Sequence, residues 1–85
     1  MNADKAQVEA KITEAIEVAQ ADPDSGAEES IVYAVDFIKR TLEIPCTYDY
    51  CGGFDSPGYR IMCYAIAYVT KDGELGIYTY THELY

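Results

Sequence analysis

Basic side chains are scarce in this chain. Six lysines and arginines stand against fifteen aspartates and glutamates, a formal net charge of −9 over 85 residues. A protein that grips a nucleic-acid backbone needs Lys and Arg to displace counterions from phosphate, so direct nucleic-acid binding is not expected. Base stacking on tyrosines is disfavoured by the same charge. Long apolar runs are also missing. The longest, Ile61 to Val69, is interrupted by tyrosines and falls well short of a membrane span. The N-terminal MNADKAQVEA has no apolar signal core, which makes the cytoplasm the expected location and leaves no membrane partner. Cysteine is limited to three residues, an odd number without an export signal, so reduced thiols are expected.

Several site signatures are absent as well. Gly52-Gly53 and Gly58 are not followed by the Lys-Ser/Thr and helix start of a phosphate loop. Asp22, Asp24 and Glu28 surround Ser25 as calcium ligands could, but Pro23 and the missing downstream ligands break the EF-hand pattern. Carboxylates are plentiful without any signature of paired acid-base work. There are no repeats, no low-complexity tails and no internal linker, so residues 1–85 read as a single domain.

What is present is a clear order of elements. Val8, Ile12, Ile16 and Ala19 recur at helical spacing and predict an amphipathic helix from Ala3 to about Gln20. Ala21 to Gly26 is turn chemistry around Pro23. Ser25 with Glu28 fits a capping box for a second helix, whose apolar stripe is Ile31, Val35, Ile38 and Leu42, widened by Val32 and Ala34. Pro45 ends it by Ile44. Period-two alternation then sets Cys46, Tyr48 and Tyr50 against Thr47, Asp49 and Cys51 on a strand, with Gly52 to Gly58 as a glycine-rich connection. Two further β-rich runs flank Lys71-Asp72-Gly73-Glu74. The expected fold is α+β: two N-terminal helices packed on a three-stranded antiparallel meander, α-α-β-β-β.

Asp72-Gly73 suits a two-residue type I′ hairpin turn. Counting outward from it, Lys71 faces Glu74, Ala67 faces Tyr78, Ala65 faces Tyr80, Cys63 faces His82 and Ile61 faces Leu84. The small residues Cys63, Ala65 and Ala67 let a helix approach closely, so their face is expected to meet the core. The other face, with Tyr64, Ile66, Tyr68, Ile77 and Tyr85, is then an exposed aromatic patch. Such a patch is either sheet packing by cross-strand pairs or a seam for a homodimer or other partner.

Three chemistries follow from these positions. Cys46, Cys51, Cys63 and His82 make a Cys3His set suitable for zinc, although alternation sends Cys46 and Cys51 to opposite faces. Cys63 with His82 is a candidate nucleophilic pair for a small thiol-dependent enzyme, lacking an orienting Asp or Asn at any recognisable spacing. The third is charge. Glu14, Glu17, Asp22, Asp24, Glu28, Glu29 and Asp36 lie between Lys11 and Lys39 with no base among them. Charged helix exteriors usually do no more than solvate a small protein. A block this long also attracts and steers a basic partner. Without a catalytic constellation, the chain reads as a non-enzymatic inhibitor that occupies a basic, nucleic-acid-binding surface of another protein. Phage inhibitors of restriction or CRISPR complexes, and immunity proteins against nuclease toxins, are of this physical type. The alternatives are a homodimeric or zinc-stabilised interaction module and the thiol enzyme.

Overall fold

The computed structural model describes residues 4–57 and 59–84. Helix α1 spans Lys5–Gln20 and helix α2 Ala27–Leu42; strands β1 (Cys46–Ser56), β2 (Tyr59–Val69) and β3 (Leu75–Leu84) follow. The strands form one antiparallel sheet in the order β1-β2-β3. Both helices lie on one face of it, giving the expected α+β architecture of two helices and a meander. Among the described residues no helix is long and apolar enough to cross a membrane.

Local chemistry sets the helix limits. Asp4 caps α1 in a reciprocal capping box, accepting from the Gln7 N–H at 2.9 Å while Gln7 Oε1 accepts from the Asp4 N–H at 3.0 Å. The box expected at Ser25 does not form. Gly26 is the N-cap of α2 without a side-chain bond, and the buried Ser30 hydroxyl donates to the Gly26 carbonyl at 3.0 Å. At its other end α2 stops at Glu43, in the left-handed region (φ 54°, ψ 46°). That conformation suits glycine, because a Cβ crowds the backbone there. Glu43→Gly is accordingly expected to stabilise the fold by about 0.5–1 kcal/mol, read as a higher denaturation midpoint with unchanged slope.

Sheet register differs from the two-residue turn expected at Asp72-Gly73. The loop is three residues, Lys71-Asp72-Gly73. Thr70 N–H donates to the Glu74 carbonyl at 2.8 Å, and Gly73 N–H donates to the Thr70 carbonyl at 2.9 Å. Glu74 N–H donates to Thr70 Oγ1 at 3.0 Å, and Gly73 takes the left-handed φ of 87° that this type of loop requires. One extra loop residue moves the β2–β3 pairing by one position, so that β3 keeps the expected side, with Tyr78 and Tyr80 toward the helices, while β2 presents its other face to them. Ala67 therefore faces Ile77, Ala65 faces Thr79, Cys63 faces Thr81 and Met62 faces His82.

The face assignment is therefore inverted for β2. Tyr64, Ile66 and Tyr68 are buried beneath the helices, at 3%, 0% and 1% exposure. They complete a core built from Val8, Ile12, Ala15 and Ile16 of α1, Ala27, Ile31, Ala34, Val35 and Ile38 of α2, and Ile44 and Cys46. The small residues Cys63, Ala65 and Ala67 look outward instead. The reason is reach: a tyrosine ring spans the gap between layers where an alanine leaves it empty. Tyrosine hydroxyls from all three strands then end on polar groups of the helices. Tyr68 donates to Glu9 Oε2 at 2.6 Å, Tyr78 meets the Thr13 hydroxyl at 3.0 Å, Tyr80 accepts from Gln20 Nε2, and Tyr48 donates to Glu28 Oε2 at 3.4 Å.

The glycine-rich stretch is strand from Gly52 to Ser56, with β1 and β2 pairing as far as Ser56 and Tyr59, and Gly58 lies outside the described residues. A bulge interrupts the ladder: Tyr50 faces Tyr64 and Gly52 faces Cys63, leaving Cys51 as the extra residue, and Gly52 takes a φ of 110°.

Candidate functional site

Helix α2 buries Ala27, Ser30, Ile31, Ala34, Val35 and Ile38. At about 100° per residue the opposite side is left to Glu29, Val32, Tyr33, Asp36 and Arg40, with Glu28 on its flank, where it reaches the Tyr48 hydroxyl. All six are exposed. Val32 is 39% exposed and does not widen the buried stripe as its apolar character suggested; Tyr33 is 36% exposed and stacks on Phe37 with ring centroids 6.3 Å apart. This stripe combines three carboxylates with an aromatic and a branched aliphatic side chain. Val32 and Tyr33 were missed as surface groups, and their helical phase relative to Ile31 and Val35 is the signal that locates them.

The remaining acids extend the same sign of charge. Asp22 and Asp24 sit in the turn before α2 and are exposed, with Asp22 Oδ1 accepting from the Asp24 N–H at 3.0 Å. Glu14 and Glu17 are exposed on α1, and Lys11 approaches Glu14 at 3.9 Å. All seven acids of the block therefore reach solvent. A basic end limits the stripe, since Lys39 and Arg40 occupy the last turn of α2 and Arg40 Nε donates to the Asp36 carbonyl at 3.3 Å.

The expected partner patch on the sheet does not exist as one surface. Tyr64, Ile66 and Tyr68 are core residues, Ile77 lies on the opposite face at 62% exposure, and Tyr85 lies outside the described residues. What the sheet leaves uncovered is the face of Cys63, Ala65, Ala67, Val69, Leu75 and Ile77, with Leu75 63% exposed beside a shallow depression edged by Pro45, Thr47 and Lys39.

The Cys3His set is divided by the sheet. Cys46 and His82 share the helix-covered face, Cys51 and Cys63 the open one, because the β3 register places His82 across from Met62. Among the described residues no three His, Cys, Asp or Glu side chains converge to hold a metal ion. The same shift separates Cys63 from His82, so the nucleophilic pair is not assembled. His82 is engaged elsewhere, its Nδ1 lying 2.9 Å from the Tyr80 hydroxyl and 3.3 Å from Gln20 Nε2. Burial pushes the Cys46 thiol up to about 11, against a smaller opposing pull from Lys39. Cys51 is also raised, by desolvation first and then by its neighbours Cys63 and Asp49.

Comparison with known proteins finds no matching family, no similar curated protein and no similar solved structure.

Proposed function

We propose that the chain is a protein-binding module that sets the outer face of α2, with the acidic turn before it, against a basic surface of a partner protein. The observation that carries this reading is the stripe itself. Glu28, Glu29 and Asp36 surround exposed Val32 and Tyr33, with Asp22 and Asp24 at its head. Carboxylates alone would describe a solvated helix. An exposed tyrosine and valine among them add the apolar anchor that protein interfaces use at their centres. The acids then steer encounter and select a basic surface, of the kind that otherwise holds nucleic-acid phosphate.

The test compares immobilised wild-type chain with a Glu28→Gln/Glu29→Gln/Asp36→Asn variant in capture from a cell lysate. Proteins retained by the wild type are expected to elute at moderate salt and to be displaced by duplex DNA. The variant should bind them about tenfold more weakly, since surface charge acts mainly on encounter, while its circular dichroism stays unchanged. Equal retention by both chains, or retention insensitive to salt and DNA, would rule this reading out.

A further inference from the structure

Cys51 is the extra residue of the β1–β2 ladder, inserted between Tyr50, which faces Tyr64, and Gly52, which faces Cys63. A bulge sets two residues of one strand against a single residue of its neighbour, so Cys51 and Gly52 together oppose Cys63. Cys51 and Cys63 are therefore neighbours across the ladder on the open face of the sheet, where Cys51 Sγ also donates to the Asp49 carbonyl at 3.9 Å. Cys51 is exposed and Cys63 half-buried. Cys46 is buried on the other face and takes no part.

We propose that Cys51 and Cys63 are a modification site, joined reversibly in an intramolecular disulfide by exchange with a low-molecular-weight disulfide of the glutathione class. The exposed Cys51 loses its proton and attacks one sulfur of the small disulfide, whose other half leaves as a thiolate and takes up that proton. Cys63 then loses its proton and attacks the Cys51 sulfur of the mixed disulfide, expelling the second small thiol. The protein gives up two electrons and two protons, and one small disulfide becomes two thiols. The second step is fast relative to escape because the bulge holds the resolving cysteine across the ladder from the attacked one. An unpaired exposed cysteine would stop at the mixed disulfide.

Closing the bond ties the two strands at the bulge and restricts the unfolded chain, so oxidation stabilises the fold. The experiment incubates the full chain with glutathione disulfide, unfolds it in acid, and counts alkylatable thiols by mass spectrometry. The expected result is a fall from three free thiols to one, with Cys46 still alkylated, no glutathione retained and no dimer. The melting temperature should rise by about 5 °C or more and return with dithiothreitol. Cys46→Ser should leave the bond intact. Cys51→Ser and Cys63→Ser should each prevent it, and because neither residue is a core side chain both variants remain folded. A stable glutathione adduct on Cys51 with Cys63 still alkylatable, disulfide-linked dimers, or three unreacted thiols would each overturn the proposal.

Discussion

Tyr68→Ala should lower the free energy of unfolding by about 3–5 kcal/mol, a large share of what holds a domain of this size together. Tyr68 lies on the central strand, is 1% exposed, and is the largest fully buried side chain among the described residues. Its ring fills the space between sheet and helices, and its hydroxyl donates to Glu9 at 2.6 Å. Truncation removes both the contact surface and the donor. Tyr68→Phe separates them: it keeps the ring and should cost only about 1–2 kcal/mol, the value of a hydrogen bond to a charged acceptor that can still reach water. Urea titration of both variants measures the difference. A loss below about 1 kcal/mol for Tyr68→Ala would mean the layers are held elsewhere. Burial first, and then the bond to Glu9, raises the Tyr68 hydroxyl above its ordinary 10.0. The folded chain thus keeps a proton that the unfolded chain releases. This contribution is complete below pH 10 and declines as pH rises beyond it.

Gly76→Ala is expected to cost about 1–3 kcal/mol, for the complementary reason. Gly76 is buried across from Tyr68, and a Cβ there would overlap Cζ, Cε2 and the hydroxyl oxygen of the tyrosine. A free ring could swing aside, but this one is enclosed by the core and tied to Glu9. The two substitutions should therefore be strongly non-additive. In a Tyr68→Ala background the penalty at Gly76 should vanish or change sign, since alanine is otherwise better suited than glycine to a strand. Additive costs in a double-mutant cycle would show that Gly76 is constrained by something other than the ring.

Both positions illustrate what the sequence could and could not convey. The helices were readable because Val8, Ile12 and Ile16, and Ile31, Val35 and Ile38, repeat with a period that admits one buried side. The three strands and their order were readable from alternation and turns. The facing of β2 relative to β3 was not, because it depended on whether Asp72-Gly73 or Lys71-Asp72-Gly73 closes the hairpin. Both are acceptable turn sequences, and the deciding bonds come from Thr70 and Glu74. Alternation alone could not arbitrate either, since each face of β2 is apolar: one is rich in tyrosine, the other in alanine. The tyrosines suggested a partner surface because their hydroxyls imply water; helix residues such as Glu9 and Thr13 hydrogen-bond with those hydroxyls instead. At the site, the exposed acids were legible from charge. The placing of Cys51 beside Cys63 was not, because a bulge has no periodic signal.

Strand and helix lengths do not match. An eleven-residue strand extends about 36 Å and a sixteen-residue helix about 24 Å. The helices cover the sheet around Tyr64 to Tyr68, whereas Cys51 and Gly53 are exposed and Ile61 to Cys63 only half-buried. Amide hydrogen exchange should therefore be graded along single strands. Backbone amides near the bulge become accessible through local opening, and those from Tyr64 to Tyr68 only when the whole fold is lost. One sheet is thus expected to open as two units, with the bulge at the boundary between them.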